Sequence, residues 1–385
     1  MTIPTIRTTA ELAAFCDKAK HKEFLCVDTE FMRESTYYSI LCLIQLSTDD
    51  DEAIIDPLAD GIDLAPLGKL LANPKITKVM HAARQDLEIF YHMFGKVPNS
   101  VFDTQIAAMA LGFGDSVSYQ ALVKGRLDLD LDKGARFTDW SKRPLSDKQL
   151  KYAMGDVTHL RDFYPGIVEE LTERGRLNWV LEEMKPQLQK SLYENNPEVA
   201  WERLKIRRPK REYLAVLKAA AAWREKKAIN RDIPRRRVLK DDALYDIAQQ
   251  KPRTLKALAA LRGVPNGFER SETAKKLVED INYALDNVET YGPPVPKPQH
   301  MPPNIGPKSE MLRTLLRLRT EYEDIAPRLV AKSKDIDQIA AFGEKAEVAA
   351  LKGWRREVFG EDALKMLDGK IGLKLEGRKV VAFEI

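Results

Sequence analysis

Short apolar runs separated by polar turns dominate the first sixty residues. Residues 24–27, 40–46 and 53–55 each form such a run, and together they predict three strands of an antiparallel meander. Ahead of them, Thr8 and Glu11 have capping-box spacing before an apolar helical face. The N-terminal region is therefore predicted to start with a helix and to continue as a sheet.

Strand and helix alternate from residue 60 onward. Residues 64–71 and 76–80 predict a helix and a strand, and apolar residues recur at helical spacing from Arg84. A long helix is predicted from Ser146 to about Glu170. Strands followed by strand–helix alternation indicate an α/β domain with a mixed sheet flanked by helices.

Helical patterns fill most of the second half of the chain. Helices are predicted at 210–228 and 241–249, and two more begin at Thr254 and Ser271. Their order predicts a small helical bundle. Residues 291–307 hold seven prolines in 17 residues, which is typical of an extended linker.

The last part of the chain, residues 308–385, is predicted to be mainly helical. Its end differs, because apolar and polar residues alternate from 371 to 385 around Glu376 and Gly377. This alternation predicts a C-terminal β-hairpin.

Charge is distributed unevenly along the chain. Residues 1–200 carry a net charge of −8 and residues 201–385 one of +12, and residues 201–240 alone contribute +11. An acidic part followed by a basic part suggests a metal-dependent catalytic domain joined to a domain that binds a polyanion. A solvated, lysine-rich helical surface is the alternative explanation of the basic part.

Cysteine usage and hydropathy indicate the compartment. The three cysteines, Cys16, Cys26 and Cys42, lie in apolar surroundings and are typical of buried thiols in a reducing compartment. No apolar run approaches membrane-spanning length, and the first residues lack the basic and apolar regions of a signal peptide. We expect a cytoplasmic protein without a membrane partner. The sequence identifies no protein partner and is compatible with a monomer.

Two carboxylates interrupt the first predicted strand. Asp28 and Glu30 are two residues apart, so their side chains point to the same face. Like charges placed in this way repel each other and lose solvation, which a bound cation would offset. Hard oxygen ligands favour Mg²⁺ or Mn²⁺ over zinc. A strand that ends in a solvated acidic turn is the alternative.

Further candidates lie near predicted helix starts and in a polar loop. Asp86 follows a strand end, where sheets of this class bind ligands, although acidic residues also favour first helical turns. Tyr152 and Asp156 are four residues apart and share a helix face. Three other side chains suit nucleic-acid bases and phosphates, although packing or local hydrogen bonds would also explain them. These are His81, Trp140 and Arg143.

The acidic motifs resemble those of the DEDD exonuclease superfamily, in its tyrosine-containing subgroup. They occur in the order Asp28-x-Glu30, Asp86 and Tyr152-x-x-x-Asp156. The surrounding segments are similar to the ribonuclease D family over about residues 1–200, at Val27–Phe31, Leu41–Leu46, Phe102–Ala107 and Trp140–Leu145. Downstream, Val238–Leu244 and Leu261–Val264 resemble the HRDC domain, a helical module shared by helicases and ribonuclease D.

The resemblance implies a 3′→5′ exoribonuclease that uses two divalent ions, Mg²⁺ or Mn²⁺, and releases nucleoside 5′-monophosphates. It implies that Asp28 bridges both ions. Glu30 and Asp156 would complete the first site, and Asp86 would support the second, partly through water. Tyr152 would orient the attacking water or take its proton. The implied partners are tRNA precursors and other structured RNA 3′ ends.

Four parts of the chain follow from the resemblance. They are a catalytic domain at 1–200, an HRDC-type nucleic-acid-binding domain at 209–290, the proline-rich linker at 291–307, and a degenerate second HRDC-like domain at 308–385. For this last domain, we expect a packing or ring-closing role as much as direct contact with RNA. The basic residues expected to contact the RNA backbone are Lys226, Lys227, Arg235, Arg236 and Arg237.

Two other functions are compatible with these residues. A DNA 3′→5′ exonuclease would use the same site, because no residue here can be shown to read the 2′-hydroxyl that distinguishes RNA. Digestion of matched RNA and DNA oligonucleotides separates the two enzymes. A non-catalytic RNA-binding scaffold would be expected to have lost a carboxylate, whereas all four are present.

Overall fold

The computed structural model describes residues 3–385 except 133, 135–137, 207–209 and 296–300. Two units divide the chain. The first comprises Met1–Glu30, Cys42–Leu192 and Gln299–Ile385, and the second comprises Phe31–Leu41 and Tyr193–Pro298. The four domain boundaries drawn from the sequence stay predictions, and part of the expected linker at 291–307 lies outside the described residues.

A mixed sheet forms the centre of the first unit, and the described residues supply six strands to it. They are β1 (Thr5–Ile6), β2 (Phe24–Met32), β3 (Ile40–Ser47), β4 (Glu52–Ile55), β5 (Thr77–Met80) and β6 (Val101–Asp103). The spatial order is β1-β4-β3-β2-β5-β6. β3 and β4 pair antiparallel, whereas β5 pairs parallel with both β2 and β6. The predicted mixed sheet is confirmed.

Helices flank this sheet. They are α1 (Thr9–Ala19), α2 (Ala65–Leu71), α3 (Arg84–Phe94), α4 (Thr104–Ala110), α5 (Tyr119–Leu127), α6 (Asp147–Glu173) and α7 (Leu177–Gln187). The predicted capping box is present at Thr8, whose side chain accepts from the backbone of Glu11 while the Glu11 carboxylate accepts from the Thr8 backbone. Ser146 and Gln149 form a second capping box, which fixes the start of α6.

The second unit is a helical bundle, as predicted. Its helices are α8 (Arg211–Asn230), α9 (Arg235–Val238), α10 (Asp241–Gln250), α11 (Leu255–Ala259), α12 (Glu272–Asp286) and α13 (Val288–Tyr291). α8 is the central helix, since residues such as Val216, Leu217 and Ala220 are fully buried in one apolar core with side chains of α10 and α12. A 3₁₀ segment at Pro197–Arg203 also packs against α8.

The C-terminal segment of the first unit is helical and ends in a hairpin. Its helices are α14 (Ile305–Tyr322), α15 (Pro327–Val330), α16 (Ser333–Phe342), α17 (Gly353–Arg355) and α18 (Glu361–Leu367), and a π-helical turn spans Arg356–Gly360. The strands β7 (Ile371–Glu376) and β8 (Lys379–Glu384) pair antiparallel. Gly377 has a φ of 64°, which suits the tight turn between them. The predicted hairpin is confirmed.

One buried carboxylate organises the second unit. The Glu225 side chain is 1% exposed and accepts hydrogen bonds from the Tyr37 hydroxyl, from Arg235 Nε at 2.5 Å and Nη2 at 2.7 Å, and from Arg203 Nη1 at 3.1 Å. Nearby, Asp232 Oδ1 accepts from the backbone nitrogen of Tyr37 at 3.0 Å. The segment 31–41 is therefore anchored among helices that follow it by almost two hundred residues.

This arrangement gives Arg235 a structural role. Arg235 was expected to contact RNA, but its guanidinium bonds Glu225 and lies 4.6 Å from the centre of the Tyr37 ring. Arg236 and Arg237 are exposed on α9, whereas the Lys226 ammonium lies 2.9 Å from the Glu198 carboxylate. The position of Arg235 argues against RNA contact by this residue. RNA contact stays a prediction for the other four basic residues, Arg236, Arg237, Lys226 and Lys227.

We expect Arg235→Ala to destabilise the second unit, because it leaves the buried Glu225 carboxylate with fewer partners. The expected loss is about 3 kcal/mol in the free energy of unfolding. Urea unfolding at neutral pH measures it, and Arg236→Ala serves as the exposed control. Equal stabilities of the two variants would contradict the anchoring role.

The free energy of unfolding that is lost in Arg235→Ala should depend on pH. Burial would raise the pKa of Glu225, but its bonds from Arg235 and Tyr37 outweigh burial and hold this pKa below the usual value. These bonds therefore stabilise the fold above the unfolded-state pKa, and the stabilisation disappears as pH falls through the folded-state pKa. The stability difference between wild type and Arg235→Ala should accordingly shrink in acid.

Candidate active site

Three of the predicted carboxylates converge beside the C-terminal half of β2. Asp28 and Glu30 project from the same face of this strand, and α6 brings Asp156 beside them. Each of the three offers a ligand atom, and these atoms all lie within 4.8 Å of one another. The structure thus brings together residues that are separated by more than a hundred positions in the chain.

The electrostatics of this cluster favour a bound cation. Burial, followed by the charges of Asp156, Asp86 and Glu30, raises the pKa of Asp28 well above its usual value. Carboxylate oxygens are the hard ligands preferred by Mg²⁺ and Mn²⁺. The residues present therefore fit divalent ions, which would relieve the repulsion between the carboxylates.

Asp86 lies behind the three-carboxylate group rather than within it. Its side chain starts in the first turn of α3, the residue is 7% exposed, and its carboxylate accepts a hydrogen bond from the Thr29 hydroxyl. Burial raises the pKa of Asp86 to about 7. Thr29 was not identified from the sequence. Its position between Asp28 and Glu30 was the only available signal.

A cavity of about 500 Å³ contains the carboxylate group. Its walls include Asp28, Glu30 and Asp156, and the Tyr152 side chain stands beside Asp156 as the helical spacing predicted. The polar residues that also line this cavity include Gln105, Ser116, Ser118 and Gln120. The arrangement places a phenol, three carboxylates and several polar side chains around one cavity.

His81 lines the same cavity and is held by local hydrogen bonds. Its Nδ1 lies 3.0 Å from Thr104 Oγ1, and its Nε2 donates to the Val117 carbonyl at 3.1 Å. Burial lowers the pKa of His81. The turn that carries it is fixed by Asp103, whose carboxylate accepts from the backbone nitrogen of Ala82 at 2.8 Å. Contact between His81 and RNA stays a prediction.

Tyr119 is a further residue that the motifs did not reveal. Its hydroxyl donates to the Gly155 carbonyl at 2.9 Å, one residue before Asp156. Burial, followed by the charges of Asp156 and Asp28, raises the pKa of Tyr119 well above its usual value. Tyr119 therefore holds α6 at the position where this helix brings Asp156 to the other carboxylates.

Arg143 and Trp140 support the site from behind. Arg143 bonds Asp56 through Nε at 2.9 Å and Nη2 at 2.7 Å, and it also donates to the Cys42 carbonyl at 2.7 Å. Trp140 is 2% exposed, and its ring centre lies 6.1 Å from that of Tyr152. These contacts argue for packing and positioning rather than the RNA contacts expected from the sequence.

The C-terminal segment contacts the loop that completes the cavity wall. Ala326 donates to the Met109 carbonyl at 2.8 Å, and the Arg328 backbone nitrogen donates to Asp115 Oδ1 at 3.2 Å. Nearby, the rings of Trp179 and Trp354 stack with centres 4.2 Å apart. Within the first unit, the segment therefore packs next to Ser116 and Ser118 of the wall.

Comparison with known proteins identifies the family. Residues 3–172 match the 3′-5′ exonuclease family, and residues 213–273 match the HRDC domain. Ribonuclease D of Nitrobacter hamburgensis is 46% identical over 98% of this chain and 99% of its own length, and that of Acidiphilium cryptum is 44% identical over 99% and 97%. The chain belongs to the ribonuclease D family. Membership confirms the predicted family and the class of enzyme, a hydrolytic 3′→5′ nuclease.

A solved ribonuclease D has the same fold. The crystal structure of Escherichia coli RNase D, described as an exoribonuclease involved in structured RNA processing, superposes with a TM-score of 0.81 at 30% identity. The match covers 96% of this chain and 99% of that one. The predicted α/β exonuclease domain followed by helical domains is confirmed. Among the described residues, no helix is both long and apolar enough to span a membrane.

We expect Arg143→Lys to lower the free energy of unfolding, although this substitution keeps the positive charge. Lysine cannot donate the paired hydrogen bonds that Arg143 gives to Asp56, which is 3% exposed. Arg143→Ala should lower stability further, because it leaves the buried Asp56 carboxylate only the Arg7 guanidinium at 3.6 Å and the Leu58 backbone nitrogen as partners, with an expected loss of about 3 kcal/mol. Thermal unfolding measures both variants. If Arg143 mainly bound RNA, Arg143→Lys would instead have wild-type stability, and Arg143→Ala would weaken only RNA affinity.

Proposed function

We propose that this chain hydrolyses RNA from the 3′ end and releases nucleoside 5′-monophosphates, with two Mg²⁺ or Mn²⁺ ions held by Asp28, Glu30, Asp86 and Asp156. The observation that carries the proposal is the convergence of three carboxylates within 4.8 Å, in a cavity shared with Tyr152. Membership of the ribonuclease D family supports the same reaction.

The residues of the cavity have separate roles in an in-line displacement. Divalent ions supply Lewis-acid activation of water and neutralise charge on the phosphodiester. Asp28, Glu30 and Asp156 would hold the ions together with Asp86, whose carboxylate is positioned by its hydrogen bond from Thr29. Tyr152 is placed to orient the attacking water, since its side chain lines the cavity beside Asp156.

The proposed substrates are tRNA precursors and other structured RNA 3′ ends. The E. coli relative is described as acting in structured RNA processing, which supports this class. In the second unit, the exposed Arg236 and Arg237 would contact backbone phosphates without sequence preference. The three cysteines are buried thiols, which agrees with the expected cytoplasmic location, and a monomeric state stays a prediction.

Metal removal provides the first test. EDTA should abolish release of mononucleotides from a 3′ end, and Mg²⁺ or Mn²⁺ should restore it. Asp28→Asn should lose activity by at least about 10³-fold with its unfolding midpoint preserved, because it removes a ligand charge but keeps the shape. The assay uses matched RNA and DNA strands, and faster digestion of DNA would favour a DNA exonuclease. Full activity after chelation would exclude the metal-dependent mechanism.

Tyr152→Phe tests the phenol. The substitution removes the hydroxyl and keeps the ring that packs near Trp140. We expect kcat to fall about 10²–10⁴-fold, with RNA affinity nearly unchanged, if the hydroxyl acts as a positioned acid–base group. Single-turnover kinetics and equilibrium binding separate the two quantities. A near-normal kcat would show that Tyr152 only packs α6 against its neighbours.

A further inference from the structure

A second cavity lies on the other side of Tyr152. It has a volume of about 460 Å³ and shares Leu131, Tyr152 and Asp156 with the active-site cavity. This volume falls within the range of about 300–1,000 Å³ that is common for small-ligand sites. A strand whose scissile bond lies at the carboxylates can therefore extend past Tyr152 into this second space.

One face of α6 forms much of this second cavity. Lys148, Tyr152, Gly155 and His159 recur at spacings of three and four residues, and Lys151 lies one turn from Lys148. Gly155 keeps the floor open, because a Cβ atom there would meet nothing closer than the His159 ring at 3.6 Å. The helix thus presents two ammonium groups and an imidazole to the second cavity.

The two cavities differ in charge. Among the described residues, the active-site cavity is lined by three carboxylates and by no lysine or arginine. The second cavity has Lys148 and Lys151, with Asp132 and the shared Asp156 as its acidic residues. The Lys148 ammonium lies 2.9 Å from Asp132, but both side chains are exposed, so this ion pair is weak and can be exchanged.

An RNA strand has the matching asymmetry. The 3′-terminal nucleoside is attached to one phosphate, the scissile one, whereas each nucleotide upstream adds another. The acidic cavity suits the terminal nucleoside, since its lining also supplies amides and hydroxyls. The second cavity suits the next phosphate, because it offers two ammonium groups, and such groups bind phosphates independently of sequence.

We propose that the cavity lined by Lys148, Lys151 and His159 binds the nucleotide immediately upstream of the scissile bond, with the two lysines contacting its 5′-phosphate. We call it the upstream pocket. The inference rests on the proposed exonuclease function and adds a defined subsite to it. The ligand is a nucleotide phosphate of a single strand, recognised by charge.

Two dinucleotides isolate this phosphate. Diadenylate with a 5′-hydroxyl carries only the scissile phosphate, and the 5′-phosphorylated form adds the group that the upstream pocket would bind. For the wild type, the added phosphate should lower KM about tenfold, as expected for a charge-assisted contact. For Lys148→Ala/Lys151→Ala, the two KM values should lie within about twofold of each other, with a small change in kcat.

Two further variants test whether the preference for the 5′-phosphate depends on the charges of the upstream pocket. Lys69→Ala/Lys75→Ala removes the same charge from exposed positions outside both cavities, so it should retain the tenfold preference. Asp132→Asn removes the carboxylate that competes with phosphate for Lys148, so it should increase the preference. A loss of preference in the control pair, or a decrease in Asp132→Asn, would overturn the assignment.

Binding measurements separate this inference from the proposed function. Dissociation constants of both dinucleotides are measured by calorimetry in the Asp28→Asn background with Mg²⁺, with and without the lysine substitutions. Cleavage of both dinucleotides by wild type without any preference for the 5′-phosphate would refute the upstream pocket alone. Absence of cleavage would count against the proposed function, and the dissociation constants would then decide the upstream pocket.

Discussion

Mutual repulsion among half-buried carboxylates is the constraint on which the catalytic centre depends. Asp28, Glu30 and Asp156 stand close enough to share a ligand sphere, and burial together with neighbouring charge raises the pKa of Asp28. Such a cluster is stable only if the fold holds the side chains in place and cations compensate their charge. The contacts around the site mainly hold these side chains in place.

Those contacts reach the site from several directions. Thr29 bonds Asp86 from the strand itself, and Tyr119 bonds the backbone of α6 next to Asp156. Asp103 fixes the turn that bears His81, and the bonds from Arg143 to Asp56 fasten the loop that carries Trp140. Several groups that resemble ligand-binding residues in the sequence therefore serve to limit the movement of the residues in front of them.

Local spacing explains which parts could be predicted from the sequence. Strand alternation places Asp28 with Glu30, and helical spacing places Tyr152 with Asp156, so both pairs follow from backbone geometry. Hydrophobic alternation likewise predicts the C-terminal hairpin. The roles of Arg143 and Arg235 could not be predicted, because their partners Asp56 and Tyr37 lie 87 and 198 positions away in the chain. Contacts over such distances depend on the complete tertiary structure.

The anchoring of Tyr37 has a consequence for biosynthesis. The segment 31–41 begins directly after Glu30, one of the three clustered carboxylates. The residues that bind this segment, Glu225, Asp232 and Arg235, are nevertheless synthesised much later. During translation, the connection between β2 and β3 stays without its native partners until the helices of the second unit have left the ribosome. A nascent chain stopped before residue 193 would hold every carboxylate of the site but would lack the groups that secure this connection. Premature termination there would yield a fragment with a loose β2–β3 connection, which is a natural target for proteases.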